Sequence, residues 1–353
     1  MILVGSMAAV LWGIGMAMGA PRAARWNMIG LLLVAVMAAH LLLPDGHPLR
    51  EATGKDARLW ALLAGFAGVV WVYARGLSYV RARVRPEHRA PEATPGALSA
   101  TELERYARHI VMREIGGPGQ MALHKARVLV VGAGGLGAPA LQYLAAAGVG
   151  TIGVIDDDLV ENANLQRQVI HTDDRIGMPK VQSAAEAMRA QNPFVTVQPY
   201  HRRLTPEIAT DLFADYDLIL DGTDNFETRY LVNATAVALG KPLIAAALTQ
   251  WEGQISLYDP ARGAPCYACV FPQAPDRALV PSCAEAGVIG PLPGVIGAMM
   301  AVEALKEITG AGEGLRGRLV IHDALYAETR VIGVKRREDC AVCGGDEPGA
   351  LRA

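Results

Sequence analysis

The chain has 353 residues, 52% of them hydrophobic and 19% charged, with a formal net charge of −2. That length admits two units, and the mean hydropathy of +0.22 is high for a soluble domain. A near-neutral charge gives no basic stripe for tracking phosphodiesters, so nucleic acid is excluded as a partner.

The apolar excess is confined to the N-terminal quarter. Met1 to Ala20, Trp26 to Pro44 and Leu59 to Ala74 are almost free of charge, and each approaches the ~20 residues a helix needs to cross a bilayer. Residues 1–83 are therefore expected to form a membrane segment of about three transmembrane helices. No basic residue precedes the first run and a second run soon follows, which argues against a signal peptide. Arg22 and Arg25 occupy the first connection, and Arg75, Arg81, Arg83, Arg85 and Arg89 follow the third run. The positive-inside bias puts the N-terminus outside the inner (plasma) membrane and everything after residue 75 in the cytoplasm.

Residues 84–98 are rich in Pro, Ala and charge without apolar periodicity, and read as a linker. Ser99 and Glu102 form a capping-box pattern, so a helix starts there and runs toward Arg113, where the Gly116 to Gly119 cluster breaks it. A domain over 99–345 and a tail over 346–353 complete the division.

Arg127 to Val131 (RVLVV) is a β-branched apolar run, followed at once by GAGGLG and the helix-forming APALQYLAAAG. Gly132, Gly134 and Gly137 supply the G-x-G-x-x-G spacing, which lets backbone and helix N-terminus approach phosphates. A second strand, TIGVID, ends about 20 residues on at Asp156, where a carboxylate can reach ribose hydroxyls. This fingerprint marks a nucleotide site without choosing the nucleotide. Further apolar runs at Val195 to Val197, Asp217 to Leu220 and Pro242 to Ala247 alternate with helical stretches Pro179 to Gln191 and Phe226 to Leu239. That alternation predicts a doubly wound, mostly parallel α/β sheet of Rossmann-like type.

Three polar sets follow strand ends: Asp156 with DDLVENANLQRQ, Lys180 opening a helix, and Asp221 to Asn225. An NAD-dependent oxidoreductase needs only the glycine turn and one acid, and leaves Asn164, Arg167, Lys180 and Asp224 without work. A triphosphate accounts for them together, because Arg and Lys neutralise phosphate oxygens and Asp can hold Mg²⁺.

All five cysteines lie from Cys266 onward. Cys266 with Cys269, and Cys340 with Cys343, are C-x-x-C pairs suited to one tetrahedral thiolate site. Disulfides are disfavoured in a reducing compartment. Cys283 stands apart after a Pro-rich stretch and before a helix over Val295 to Thr309.

RYARHI, VGAGGLG, VIDDDLVENANLQRQ, GMPK, DGTDN, EGQ, CAEAGV and the cysteine pairs together resemble the E1-like adenylyltransferases of the MoeB/ThiF/HesA family, over residues 99–345. The membrane segment lies outside that family's usual pattern. The resemblance implies C-terminal antiparallel strands beyond the parallel sheet and a structural Zn²⁺ on Cys266, Cys269, Cys340 and Cys343. It implies that Gly135 and Asp156 contact the adenosine of ATP, with Asp158 and Gln166 in the same site. Asn164, Arg167 and Lys180 would handle the phosphates, Asp224 would organise Mg²⁺, and Asn225 would sit beside it. Arg108 would reach across a homodimer, and Cys283 would act in a later covalent or sulfur-transfer step. The activity implied is adenylation of the C-terminal Gly-Gly carboxylate of a ubiquitin-like sulfur carrier protein, for molybdopterin or thiamine synthesis, with a separate sulfur donor protein. The competing readings are the oxidoreductase, a tRNA threonylcarbamoyladenosine dehydratase-type relative, and a membrane scaffold with a dead site. The cysteine pairs weigh against the second, and intact Arg167, Lys180 and Asp224 against the third.

Overall fold

The computed structural model describes residues 2–19, 21–54, 57–84, 98–275 and 286–345. The linker apart from its two end residues, Cys283 and the tail lie outside the described residues. The chain divides into two compact units, Met1–Arg89 and Ala90–Ala353.

The first unit is helical: α1 (Ile2–Ala17), α2 (Arg22–Leu42), α3 (Pro48–Thr53) and α4 (Ala57–Val84). Val4, Val36 and Trp60 form its small buried cluster. At the α2–α3 turn, Arg50 donates to the Leu43 carbonyl (2.8 Å) and pairs with Asp45 (2.8 Å), while His40 Nε2 meets Thr53 Oγ1 at 3.0 Å. Among the described residues, two stretches, Ala24–Leu42 and Trp60–Leu77, are long and apolar enough to cross a membrane, whereas Leu3–Ala17 is shorter. The first expected run forms a helix that ends at Ala17, shorter than the ~20 residues of a spanning helix. The third run is the longer one, with α4 continuing for 28 residues.

In the second unit, Ser99 and Glu102 close the capping box: the Glu102 amide donates to Ser99 Oγ (3.3 Å), and the Ser99 amide donates to the Glu102 carboxylate (2.8 Å). The single helix expected to follow is split into α5 (Ala100–Arg105) and α6 (Ala107–Ile110). The break falls at Tyr106, which turns inward, is buried, and accepts a hydrogen bond from Asn192 Nδ2 at 2.8 Å. The glycine cluster expected as a breaker instead opens α7 (Gly116–Lys125), whose first turn accommodates Pro118 because its amide needs no helical partner.

The sheet has eight strands in the order β3-β2-β1-β4-β5-β6-β7-β8. β1 (Arg127–Val131), β2 (Thr151–Ile155), β3 (Thr196–Tyr200), β4 (Leu218–Asp221) and β5 (Leu243–Leu248) pair in parallel. β6 (Glu252–Tyr258), β7 (Arg318–Asp323) and β8 (Glu328–Gly333) extend it in antiparallel fashion.

Strand periodicity builds two cores. Val128, Val130, Ile152, Val154, Leu218 and Leu220 face one side, while Leu129, Val131, Ile155 and Ile219 face the other. The first side is covered by α8 (Gly137–Ala147), α9 (Lys180–Gln191) and α13 (Pro291–Thr309), through Leu141, Leu144, Val181, Met188, Ile296 and Met300. The second is covered by α10 (Pro206–Ala214) and α11 (Phe226–Ala238), through Phe213, Val232 and Ala236. Helices on both faces of a mostly parallel sheet give the doubly wound architecture. α13 starts four residues ahead of the expected Val295, with a proline in its first turn. The remaining short helix, α12 (Tyr267–Val270), carries one cysteine pair.

Candidate nucleotide site and cysteine cluster

From β1 the chain winds outward to β2 and β3, then returns to place β4 on the other side of β1. Ligands of open α/β sheets bind at such a reversal, outside the carboxyl ends of the strands. Val131 is level with Ile155 of β2 and Asp221 of β4, so three loops open at the same height.

The loop after β1 is the glycine turn. Gly132 adopts φ +95°, in the region that favours glycine. Gly137 begins α8 so close to the strand end that a Cβ there would lie 1.9 Å from the Gly132 carbonyl oxygen. Gly134 faces Gln168, and Gly135 lies between Pro293 and Arg167. The intervening Ala133 is tied at both backbone groups: its amide donates to Asp156 Oδ2 (2.7 Å), and its carbonyl meets His171 Nε2 (3.0 Å).

Asp156, at the end of β2, also accepts the Asp158 amide through Oδ1 at 2.8 Å. Burial raises its pKa above the usual carboxylate range, against the lowering effect of the Ala133 and Asp158 amides and Lys180. Expected to contact ribose, its carboxylate is engaged with the turn itself, although its remaining lone pairs can still accept. Lys180, the first residue of α9, is only 4% exposed and donates to Asp158 Oδ2 at 2.7 Å. Asn164 Oδ1 accepts from Arg167 Nη2 at 3.0 Å, and Arg167 Nη1 donates to the Ala163 carbonyl at 3.1 Å. Gln166 is exposed and packs against Gly290, just ahead of α13.

After β4, Asp221 Oδ1 accepts both the amide (2.9 Å) and the hydroxyl (2.7 Å) of Thr223, and Arg229 donates to the Thr223 carbonyl. These bonds present Asp224 as an exposed carboxylate. Asn225 uses its side-chain oxygen to cap α11, accepting the Thr228 amide at 2.9 Å. Gly222 and Thr223 lie directly across from Gly132. The structure thus gathers the glycines, Asp156, Asp158, Asn164, Arg167 and Lys180 by direct contact, with Asp224 and Asn225 on the adjoining loop. Arg108 is exposed on α6, and the described contacts do not link it to this crevice.

Sequence reasoning missed His171, Ser183 and Gln168. His171 is buried with Ser183 Oγ 2.9 Å from its Nδ1, and burial lowers its pKa, so the ring is neutral at pH 7. Gln168 is buried with an Oε1 that accepts no hydrogen bond among the described residues. Gln168 closes the DDLVENANLQRQ stretch without being singled out there, and no local motif announces His171 or Ser183.

The four cysteines Cys266, Cys269, Cys340 and Cys343 are buried together. Their sulfurs lie 3.8 Å (Cys266 to Cys269), 3.6 Å (Cys266 to Cys340) and 3.3 Å (Cys269 to Cys343) apart. An ion bonded to four thiolates at ~2.3 Å in a tetrahedron separates them by about 3.8 Å, so this donor set fits zinc. The Arg337 amide donates to Cys269 Sγ at 3.4 Å. Burial, then the neighbouring sulfurs, push the Cys266 thiol far up, and Cys343 is raised to about 11. Four thiolates there require a cation to balance them.

At the opposite end of the sheet lies a cleft of about 500 Å³ lined by Arg262, Arg316, Lys335 and Arg336. Arg316 pairs with buried Asp259 (2.9 Å), and Arg262 pairs with half-buried Glu307 (2.9 Å), so these cations neutralise acids of this end of the domain.

A doubly wound sheet with a glycine turn, an acid at the next strand end and cations at the same edge defines a nucleotide-binding α/β protein. The chain belongs to the ThiF family, which matches residues 106–342. It is 50% identical over 251 residues to the sulfur carrier protein adenylyltransferase of Thermus thermophilus, covering 70% of this chain and 92% of that one. It is 48% identical over 248 residues to the SAMP-activating enzyme E1 of Haloferax volcanii, covering 70% and 91%. Among solved structures it is similar to E. coli MccB with ATP, at TM-score 0.57 and 25% identity over 65% of this chain and 70% of that one.

The raised pKa of Asp156 has a stability consequence. A carboxyl that holds its proton more tightly when folded contributes most below its unfolded pKa, and that contribution is lost as pH rises through the folded value. The stability of the parent relative to Asp156→Asn should therefore fall as pH increases from 3.8 through the raised native value. Urea denaturation of both proteins across that range measures it, and a difference that grows with pH would contradict the assignment.

Proposed function

We propose that this chain uses ATP to adenylate the C-terminal glycine carboxylate of a small ubiquitin-like sulfur carrier protein, releasing pyrophosphate. The observation that carries the reading is the convergence of the glycine turn with Lys180, Arg167 and Asp224 at the β1/β4 reversal, in a chain 50% identical over 251 residues to an adenylyltransferase of sulfur carrier proteins.

The carrier carboxylate attacks the α-phosphorus of ATP; the bond from that phosphorus to the bridging oxygen breaks, and pyrophosphate leaves with the electron pair. A carboxylate is ionised at neutral pH, so no general base is required. The work of the site is to hold the reacting groups in line and balance charge. In this reading Asp156, Asp158, Gln166 and the glycines Gly132, Gly134, Gly135 and Gly137 hold the nucleotide. Asn164, Arg167 and Lys180 engage its phosphates, with Asn225 alongside. Arg108, exposed on α6, reaches the site of a second copy in a homodimer. Mg²⁺ neutralises phosphate charge when bound, and a single exposed carboxylate, Asp224, suits an ion that takes its other ligands from phosphate and water. Cys266, Cys269, Cys340 and Cys343 hold a structural Zn²⁺. Cys283 is reserved for the later sulfur-transfer step, in which a donor protein consumes the acyl adenylate for molybdopterin or thiamine synthesis.

The N-terminal unit attaches the enzyme to the inner membrane, with the catalytic domain in the cytoplasm. Only 11% of Ala24–Leu42 and 7% of Trp60–Leu77 is buried. Leu31, Val34, Leu41, Phe66, Val69 and Trp71 are exposed, which is far more apolar surface than a water-facing helix pair carries. The domain division that follows is membrane segment 1–83, linker 84–98, adenylyltransferase domain 99–345 and tail 346–353.

Three measurements test this reading. Asp224→Ala is expected to reduce ATP–pyrophosphate exchange, assayed with a carrier ending in Gly-Gly, by at least about a hundredfold while leaving the melting temperature near parental. Exchange at the parental rate would remove Asp224 from the site. Elemental analysis of the purified protein should give about one zinc per chain, and Cys340→Ser/Cys343→Ser should lose the metal and melt lower; a metal-free parent would reject the zinc site. Finally, the full-length chain should require detergent for extraction, whereas a chain starting at Leu98 should be soluble and retain exchange. Full-length protein in the soluble fraction would reject membrane attachment.

A further inference from the structure

We infer that His171 is a positioning residue that locks the glycine turn to the helix carrying Lys180, so that the turn and the lysine meet the triphosphate as one rigid unit. The inference rests on the adenylation reading and adds to it a residue with no direct contact to substrate.

The starting point is Ala133. Its amide is held by Asp156 and its carbonyl by His171, which pins the peptide planes on both sides of this residue. In a trans peptide the carbonyl and the following amide point in opposite directions. Anchoring the Ala133 carbonyl on a buried imidazole therefore aims the Gly134 amide away from that ring, and amides of such turns are the groups that receive phosphate oxygens.

The tautomer follows from the partners. A carbonyl only accepts, so Nε2 carries the proton; the neutral ring then offers an Nδ1 lone pair, which accepts the Ser183 hydroxyl at 2.9 Å. Lys180, Arg175 and Ser183 surround the ring, and the two cations reinforce its neutral form. Ser183 lies three residues after Lys180 on α9, on the same face.

The contacts close into a ring. Ala133 binds Asp156, Asp156 binds the Asp158 amide, the Asp158 carboxylate binds Lys180, α9 joins Lys180 to Ser183, and His171 returns from Ser183 to Ala133. Without His171 the ring opens, and the turn stays tied to α9 through Asp156, Asp158 and Lys180 alone, with the Ala133 carbonyl released. An apolar residue of the same volume would fill the space but leave the carbonyl of a fully buried Ala133 unsatisfied.

The test uses the full-length chain, with ATP binding followed by titration calorimetry and folding by thermal melting. His171→Ala is expected to weaken ATP binding about tenfold, the scale of one lost buried hydrogen bond. His171→Gln, whose amide nitrogen can reach the Nε2 position and donate to Ala133, should recover most of that loss. Ser183→Ala should weaken binding severalfold, and should add little when combined with His171→Ala, because both cut the same chain of contacts. Parental affinity in His171→Ala, or losses that multiply in the double variant, would overturn the inference. Should His171→Ala fail to fold, Ser183→Ala decides alone, and parental affinity there overturns it equally. A parent that does not bind ATP would instead bring down the adenylation reading, and this inference with it.

Discussion

The arrangement of the catalytic edge depends on one close approach: the start of α8 against the end of β1. With Gly137 positioned so that any Cβ would sit 1.9 Å from the Gly132 carbonyl oxygen, strand and helix are joined by a turn that no other residue can complete. That proximity brings the N-terminus of α8 to the strand end, where its free amides and positive dipole end lie over the crevice. It also lets the β4 loop draw near, since Gly222 sits beside Gly137 and Leu136, with Thr223 beside Gly132. The acid of β2, the polar loop of β4 and the residues of the 164–168 segment are arranged around this turn, and its shape sets what they can reach.

Much of this was legible because it is local. The glycine spacing, the β-branched run ahead of it and the alternation of strands with amphipathic helices each follow from short-range chemistry, and strand positions deviate by only a few residues. The two cysteine pairs were legible for the same reason, since each pair defines its own half of a site. Tyr106 shows where local reading fails. Nothing in RYAR marks a break, because the break exists to bury the ring beside Asn192, 86 residues away in the chain. The cluster at Gly116 reads as a helix breaker by composition, yet it starts a helix, because glycine and proline are tolerated in a first turn. His171 is harder still. Its partners, the Ala133 carbonyl and Ser183, lie 38 and 12 residues away, and one of them is a backbone atom with no sequence signature. In the N-terminal unit the apolar runs were plain, but their helix lengths were not, because length depends on where the chain caps.

Lys180 illustrates how the site stays ordered before a nucleotide arrives. A lysine at 4% exposure loses much of its hydration, and a buried charge needs a hydrogen-bonded partner in its place. Asp158 supplies that partner, accepting from Nζ at 2.7 Å while its own side chain remains 64% exposed. A pair with one partner in water is a weak one, of the order of 1 kcal/mol. A triphosphate bearing several charges can therefore displace Asp158 at small cost, and the displaced carboxylate rehydrates at once. The ammonium need not travel far, because the base of its side chain is fixed by the α9 terminus and by the Lys180 amide, which donates to the Asp158 carbonyl at 2.9 Å. On the proposed reading, Asp158 holds the Lys180 ammonium aimed at the crevice, and the strength of that hold is low enough for phosphate to take its place.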